Sequence, residues 1–344
     1  MNSFSDRIVA WQRQHGRHDL PWQASRDPYR IWLSEIMLQQ TQVATATPYF
    51  LRFIQRFPDL ATLAAASEDA VLEHWSGLGY YSRARNLHAA AQQIAALPGS
   101  EFPDTRQALE ALPGVGRSTA AAIAALAFGR REAILDGNVK RVLARHAGVD
   151  GWPGDKKIEA RLWQLAESRL PRQHIEAYTQ GLMDLGATVC VRNLPDCDAC
   201  PVRSDCLARI QGRAASLPGS RPKKILPDKH VQMLLLLDRG ELMLEKRPPS
   251  GIWGGMWSLP ELPPETDAVA GCQSRYGHMP TRQDALPVLR HSFSHFRLHI
   301  QPVCLHVKPR PCSVASPGQQ WLTPAAALQA ALPAPVRTLI SQLA

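Results

Sequence analysis

The segment ATVCVRNLPDCDACPVRSDCL, residues 187–207, carries four of the chain's seven cysteines. Cys190, Cys197, Cys200 and Cys206 follow the spacing C-x6-C-x2-C-x5-C, which is short enough for the four thiolates to meet at one metal centre. Four thiolates without a histidine suit either tetrahedral zinc or a [4Fe-4S] cluster. Disulfides are disfavoured because nothing else in the chain is typical of a secreted protein. The spacing therefore predicts a metal site and leaves the metal open.

Length and composition predict a globular protein of about two domains. The chain has 344 residues, of which 45% are hydrophobic and 20% charged. The N-terminus lacks the apolar run of a signal peptide, and the longest apolar run elsewhere is too short to span a membrane. We therefore expect a cytoplasmic protein in a reducing environment, with no membrane partner and a monomeric state.

The charge of the chain favours a polyanionic partner. The formal net charge is +9, and most of this excess lies before about residue 225. Charge by itself is weak evidence, because many proteins are basic for no specific reason.

The pattern of the chain changes near residue 212. Up to about residue 210 it is typical of helices joined by short polar connections, with Asp104 as one expected N-cap. Residues 212–228 are rich in Pro, Gly, Ser and basic residues and predict an interdomain linker, whose Arg221, Lys223 and Lys224 are more typical of solvated charge than of phosphate contacts. Residues 229–344 then alternate as strands do, with a hairpin signal at 231–247 and closing helices near 324–332 and 335–343.

Glu35 is the single acidic residue in YRIWLSEIMLQQTQV, residues 29–43. Its helical neighbours Ile31, Trp32 and Leu38 are apolar, so the carboxyl group is expected to lose hydration and its pKa to rise toward neutrality. A protonated glutamic acid can give its proton to a leaving group. The alternative is a glutamate that reaches solvent from the edge of the helix.

Two further motifs follow. LPGVGRSTA, residues 112–120, places Gly114 and Gly116 before a helix whose first amides can hold a phosphate, although glycines also make ordinary turns between helices. In ILDGNVKRVLARH, residues 134–146, Asp136 is by default an N-cap, and it can also present its carboxylate to a sugar.

These motifs together resemble the endonuclease III superfamily of DNA glycosylases. The cysteine spacing is similar to its cluster loop, which implies a [4Fe-4S] cluster at residues 190–206, and L-P-G-V-G-R-x-T resembles its helix-hairpin-helix element, here at about 104–128. In the superfamily a catalytic aspartate occupies the position of Asp136. An acid and an anion suit N-glycosidic cleavage, which releases a base and leaves an oxocarbenium-like sugar.

Within the superfamily the chain resembles the adenine-excising MutY branch. LPW at 20–22, LSEIMLQQTQV at 33–43 and GLGYYSRARN at 77–86 carry this resemblance, and Ser118 stands where strand-cutting members have a lysine nucleophile. The resemblance implies double-stranded DNA with adenine opposite 8-oxoguanine or guanine as the substrate, and a flipped adenine. It implies that Glu35 protonates adenine and that Asp136 stabilises the sugar cation, with Asn138 and Ser118 beside it.

The same resemblance implies DNA contacts by four residues outside this pair. Gln39 and Tyr80 would enter the duplex around the lesion, and Leu20 and Trp22 would line the adenine pocket. Each also has a plain structural interpretation: Leu20 and Trp22 as core residues, Gln39 as a surface amide and Tyr80 as a packed aromatic.

The C-terminal part resembles Nudix domains through GIWGGMWSLPE, residues 251–261, but no Arg-Glu-x-x-Glu-Glu helix follows it. Pyrophosphate hydrolysis is therefore not expected. HSFSHF, residues 291–296, resembles the Phe-Ser-His loop of the MutY branch, which implies that Phe293, Ser294 and His295 contact 8-oxoguanine. A strand end with an inward aromatic is the alternative.

The sequence thus predicts a multi-domain protein: an all-α helix-hairpin-helix glycosylase domain at 1–211, the linker at 212–228, and an α+β Nudix-like domain at 229–344. The predicted activity is monofunctional adenine excision. The alternatives are a bifunctional endonuclease III-like glycosylase and lyase, or a catalytically silent iron–sulfur DNA-binding protein. Cys272, Cys304 and Cys312 are expected to be inert apolar residues.

Overall fold

A computed structural model describes residues 3–222, 225–308 and 318–343. The chain forms two compact units. The first comprises Met1–Ala65 and Asn86–Lys223, and the second comprises Ala66–Arg85 and Lys224–Ala344. The predicted helical domain at 1–211 includes residues 66–85, whereas the compact units group these residues with the C-terminal chain. Lys223, Lys224 and Cys312 lie outside the described residues.

Helices account for all the regular structure among the described residues before 222, as predicted. They are α1 Phe4–His15, α2 Pro28–Leu38, α3 Val43–Arg56, α4 Leu60–Ala65, α5 Glu68–Trp75, α6 Ser82–Ala95, α7 Arg106–Glu110, α8 Arg117–Phe128, α9 Gly137–His146, α10 Lys156–Ser168, α11 Ile175–Thr188 and α12 Leu207–Ile210, with 3₁₀ turns at Pro21–Gln23, Pro98–Ser100 and Arg203–Asp205. No helix in the described ranges is long and apolar enough to cross a bilayer.

Side-chain caps fix where several of these helices begin. Asp136 and Asp155 accept backbone N–H groups at the start of α9 and α10. The expectation that Asp104 caps α7 is wrong: Thr105 accepts the N–H of Ala108 instead, while Asp104 pairs with Arg130. The threonine is one residue nearer the helix, where its hydroxyl reaches the third helical N–H.

The core of the first unit is built around α11, which packs against α1, α8 and α9. Close approach depends on two glycines of α11. A Cβ atom at Gly181 would lie 2.9 Å from Ile8 Cγ2 of α1, and one at Gly186 would lie 2.6 Å from Asn138 Cβ of α9. These contacts bring the start of α9, and with it Asp136, against α11.

The described residues of the second unit form an eight-stranded sheet. Its strands are β1 Asp228–Asp238, β2 Glu241–Lys246, β3 Trp257–Ser258, β4 Glu261–Leu262, β5 Pro280–Ala285, β6 Leu289–Ser292, β7 Arg297–Val307 and β8 Gln319–Leu322. The main path runs β3-β2-β1-β7-β5, with β1 and β7 parallel. The predicted hairpin is confirmed, because Arg239 and Gly240 turn with positive φ between β1 and β2.

Helices α13 Ala268–Tyr276, α14 Pro324–Ala327 and α15 Ala334–Ser341 complete the second unit. The expected helix at 324–332 ends early, at Ala327. The segment 66–85 is joined to this unit by hydrogen bonds: Arg85 donates to the Gly254 carbonyl at 2.5 Å, and Arg337 donates to the Ser76 hydroxyl at 3.2 Å. These long-range contacts explain why residues 66–85 group with the C-terminal chain.

Candidate active site and cysteine cavity

A cavity of about 990 Å³ in the first unit gathers residues from α2, α8, α9 and α11. Seven of the residues predicted to act in catalysis or DNA binding line it: Leu20, Trp22, Glu35, Gln39, Ser118, Asp136 and Asn138. The two candidate catalytic carboxyl groups therefore face one space.

Glu35 lies on α2, and its part-buried side chain lines this cavity. Burial raises its pKa to about 8, and the negative charge of Asp136 contributes in the same direction. Because both causes disfavour the anion, Glu35 is mostly protonated at neutral pH. The sequence prediction of a raised pKa thus has its expected cause in the structure, which is desolvation.

Asp136 sits at the start of α9, where its Oδ1 accepts the N–H of Val139 at 2.8 Å. Burial raises the pKa of this carboxyl group too, but backbone N–H groups and the cations Arg141 and Lys140 act in the opposite direction. Glu35 has no such counteracting cause among the interactions that shift its pKa. The two carboxyl groups therefore differ in their surroundings, because hydrogen-bond donors and cations favour the charged form of Asp136 alone.

A second cavity, of about 460 Å³, adjoins the first. Trp22, Glu35 and Gln180 line both cavities, and the second extends to His18 and Arg26. Glu35 is thus reached from two sides, and Trp22 forms part of both walls.

The glycine motif connects α7 to α8 beside Gln39. The Gln39 side chain donates to the Gly114 carbonyl at 3.3 Å and to the Thr119 hydroxyl at 3.4 Å. Gly114 has φ +77° and lies so close to Asn86 that a Cβ atom would be 2.8 Å from Asn86 Cβ. Gly116 is the N-cap of α8 and leaves open space where a side chain would be.

Ser118 has a structural contact that the sequence did not reveal. Its hydroxyl accepts the N–H of Leu135 at 2.9 Å, which ties the segment before Asp136 to the first turn of α8. No amine stands at this position.

The structure also brings residues to the cavity that the sequence analysis missed. Arg17 pairs with Asp184, which is 1% exposed, at 2.7 Å, and Gln180 donates to the same carboxylate at 2.8 Å. Arg141 donates to Asn138 Oδ1 at 2.8 Å. Asp184, an acidic residue between apolar residues of α11, was the signal that the sequence offered for this ion pair. Gln180 and Gly186 carried no such signal.

The four clustered cysteines line a third, separate cavity at the end of α9, together with apolar residues such as Leu185, Val189 and Val202. All four are part-buried and have free thiols. Arg145, which is 2% exposed, donates to Cys190 Sγ at 3.3 Å. Four sulfur donors around one largely apolar space, with a cation directed at one of them, fit the donor set of an iron–sulfur or zinc site.

The remaining predicted residues belong to the second unit. Phe293, Ser294 and His295 form the tight turn between β6 and β7, closed by a 2.9 Å bond from Phe293 N to Phe296 O. Ser294 and His295 are exposed, and Phe293 stacks on Phe296 with ring centroids 4.4 Å apart. Tyr80 has φ +49° and is 47% exposed, with Arg83 over its ring.

Comparison with known proteins agrees with this fold. Residues 33–168 match the HhH-GPD superfamily of base excision DNA repair proteins, and residues 232–342 match the NUDIX domain. The helical part is also similar to a thermostable thymine-DNA glycosylase, with a TM-score of 0.55 and 29% identity over 60% of this chain and 95% of that chain. An endonuclease III–DNA complex shares the fold, with a TM-score of 0.51 and 20% identity over 60% of this chain and 94% of that chain. The class is therefore a helix-hairpin-helix DNA glycosylase with a Nudix-like second part.

Similarity over most of the chain identifies the family. The adenine DNA glycosylase of Buchnera aphidicola from Acyrthosiphon pisum is 39% identical over 88% of this chain and 87% of its own length. The adenine DNA glycosylases of mouse and human are 33% and 32% identical, each over 94% of this chain and over 74% and 70% of their own lengths. The chain belongs to the adenine DNA glycosylase family.

Proposed function

We propose that this enzyme hydrolyses the N-glycosidic bond of adenine mispaired with 8-oxoguanine or guanine in double-stranded DNA. The observation that carries the proposal is the pairing of Glu35, whose pKa is raised to about 8, with Asp136 on one cavity beside the glycine motif. Membership of the adenine DNA glycosylase family supports the choice of base.

The two carboxyl groups have different roles in the proposed reaction. Glu35 enters the reaction protonated and transfers its proton to N7 of the flipped adenine, so the base departs neutral. The C1′–N9 bond breaks as positive charge develops on the sugar, and the Asp136 carboxylate stabilises that charge. Water then adds to C1′ and loses a proton to the Glu35 carboxylate, which restores the acid and completes the hydrolysis.

Ser118 supports a monofunctional reaction. A lyase of the endonuclease III type needs an amine to form a Schiff base with the sugar, and the Ser118 hydroxyl cannot do so. Its bond to the Leu135 N–H is consistent with a positioning role for the segment that carries Asp136. We assign Asn138 a place beside Asp136 in the same site.

Other residues would hold the DNA. Gly114 and Gly116 would bring the backbone amides of α8 close to a phosphate, and Gln39 and Tyr80 would enter the duplex. Leu20 and Trp22 would line the adenine pocket.

The second unit would recognise the base opposite the adenine. The exposed turn of Phe293, Ser294 and His295 would contact 8-oxoguanine, so that base excision at 1–211 is coupled to lesion recognition at 229–344 through the connection at 212–228.

We assign a [4Fe-4S] cluster to Cys190, Cys197, Cys200 and Cys206. The four thiolates would ligate the cluster, and the bound cluster would brace the loop 190–206 against the end of α9. Arg145 would orient Cys190 through its bond to the sulfur atom.

The catalytic assignment is tested by single-turnover assay of Glu35→Gln on a duplex with adenine opposite 8-oxoguanine. We expect adenine release to be lost and duplex binding to persist, because the amide keeps the volume of the side chain and removes its proton. Glu73→Gln on α5, an exposed glutamate, is the matched control and should release adenine at the normal rate. Near-normal turnover by Glu35→Gln refutes the proposed role of Glu35. Direct nicking of the strand by the wild type supports a lyase. Duplex binding by the wild type without adenine release supports a catalytically silent protein.

The cluster assignment is tested on anaerobically purified protein. We expect a broad absorption band, with iron and sulfide bound, that is lost in Cys197→Ser and retained in Cys272→Ser. Colourless wild-type protein with a bound zinc ion that is lost in Cys197→Ser rejects the iron–sulfur assignment and retains the four-thiolate site.

A further inference from the structure

A second group of possible metal ligands lies in the C-terminal unit, on strands that have no part in the site described above. Asp284 is on β5, and Cys304 and His306 are on β7. We propose that these three side chains bind a divalent cation of the zinc class.

The strand pairing brings the three residues to one face of the sheet. Asp284 and Cys304 are direct partners in the antiparallel pair of β5 and β7. Cys304 and His306 are two residues apart on β7, and alternate residues of a strand point to the same side. Two neighbouring strands thus present a carboxylate, a thiol and an imidazole together.

The distances between the three side chains fit a common ion. The ligand atoms all lie within 4.8 Å of one another, with His306 Nε2 3.9 Å from Cys304 Sγ and 3.9 Å from Asp284 Oδ2. A tetrahedral zinc ion holds sulfur and nitrogen ligands about 3.5 Å apart, and nitrogen and oxygen ligands about 3.4 Å apart, given its usual bond lengths. Small side-chain rotations would therefore close the site.

The geometry argues against a catalytic relay among the same residues. A Cys-His-Asp relay needs the thiol at one ring nitrogen and the carboxylate at the other. Here both contacts run to Nε2 of His306, so the imidazole does not bridge its two neighbours. Three donor atoms within 4.8 Å of one another are instead the arrangement that a cation requires.

The chemistry of the donors selects the metal. A thiolate beside an imidazole suits zinc and similar borderline cations, whereas magnesium and calcium prefer oxygen donors alone. Cys304 is 5% exposed, but the side chains of His306 and Asp284 are 43% and 38% exposed. Water can therefore reach the outer side of the site and supply a fourth ligand.

Arg282 competes for the same carboxylate. Its Nε lies 2.9 Å from Asp284 Oδ2, and its side chain is 68% exposed. An exposed arginine can move away, because an ion pair between solvent-exposed side chains contributes little to stability. Its positive charge nevertheless opposes a cation, so removal of Arg282 should tighten binding.

The test measures Zn²⁺ and Co²⁺ binding to the full-length protein with its four-cysteine site loaded, at equal iron content in every variant. We expect one added metal per chain, with a cobalt–thiolate absorption that disappears in Cys304→Ser. His306→Gln should weaken binding at least about tenfold, since even loss of an outer partner of a metal ligand costs about 10–100-fold in affinity. Arg282→Ala should strengthen it.

Matched variants keep the result interpretable. Cys272→Ser removes the other buried cysteine described in this unit, and it should bind metal as the wild type does. His306→Gln alters a half-exposed side chain, so it should fold even if Cys304→Ser does not. The proposal is overturned if Cys304→Ser or His306→Gln binds as the wild type does, if Cys272→Ser loses binding equally, or if the loaded wild type takes up no added metal.

Discussion

Two carboxyl groups line the cavity of the first unit, and every cause of the pKa shift of Glu35 acts in one direction. Its pKa is raised to about 8 because its anion is desolvated and faces Asp136. Between the ordinary pKa near 4.5 and this raised value, the folded protein holds a proton that the unfolded chain has released. The contribution of Glu35 to stability is therefore fully present below about pH 4.5 and is lost as the pH rises to about 8.

Glu35→Gln should remove this pH dependence, because an amide does not ionise. The free energy of unfolding of the variant relative to the wild type should increase between about pH 5 and pH 8 and level off above that. Urea denaturation at several pH values measures the difference. A difference that does not change with pH would mean that Glu35 has an ordinary pKa.

Asp136 combines a structural role with the proposed electrostatic one, and a substitution can separate them. Asparagine caps helices about as well as aspartate, so Asp136→Asn should fold normally. Loss of the negative charge should slow adenine release by about 100-fold or more, as is typical when one electrostatic contact to a transition state is removed. Single-turnover rates measure the effect.

Asp155→Asn is the matched control, because Asp155 caps α10 in the same way and does not line the cavity. It should release adenine at the wild-type rate. Equal losses in the two variants would assign the effect to helix capping and not to charge.

At the scale of elements, the position of Asp136 depends on how α11 packs against α9. Gly186 permits this contact, because a Cβ atom there would lie 2.6 Å from Asn138 Cβ and 3.0 Å from its backbone. The start of α9 would have to move to accommodate it. Gly186 is thus required by the packing of α11 against α9, which neither its sequence neighbours nor its spacing indicates.

Gly186→Ala should lower stability by about 1–3 kcal/mol, as overpacking usually does, and should reduce adenine release by the folded enzyme. Gly181→Ala is the control on the same helix, because its added methyl group meets Ile8 and Gln12 of α1 instead. The control should lose stability and retain its rate. The proposed link between α11 and the site fails if both variants keep the wild-type rate per folded molecule.

Sequence reasoning predicted local elements better than long-range contacts. Neighbouring residues determine the change from helices to strands, the hairpin at Arg239–Gly240 and the desolvation that raises the pKa of Glu35. These features could therefore be predicted from the sequence. The grouping of residues 66–85 with the C-terminal chain depends on contacts such as Arg85 with Gly254, which no local pattern encodes. The proximity of Asp284 to Cys304 is likewise absent from any local pattern, because it follows from the register between β5 and β7.

At the scale of the whole molecule, two compact units would have to act on one damaged base pair. The first holds Glu35 and Asp136, and the second holds the turn proposed to recognise 8-oxoguanine, together with Tyr80. This division predicts that discrimination between opposite bases can be changed without changing the chemistry. Phe293 is a poor probe of this discrimination, because its ring stacks on Phe296 and contacts Trp253, which also supports the turn itself.

Ser294→Ala is the better probe, since Ser294 is exposed and its side-chain contact is a long one, 3.4 Å to His295. Loss of one hydrogen bond to the damaged base should cost about 0.5–1.5 kcal/mol, which corresponds to a few-fold to about tenfold lower preference for adenine opposite 8-oxoguanine over adenine opposite guanine. The rate on the guanine pair should stay unchanged. Ser292 is an exposed serine at the end of β6, and the control variant Ser292→Ala should keep the full preference. An equal loss of preference in both variants would place recognition of the opposite base elsewhere in the chain.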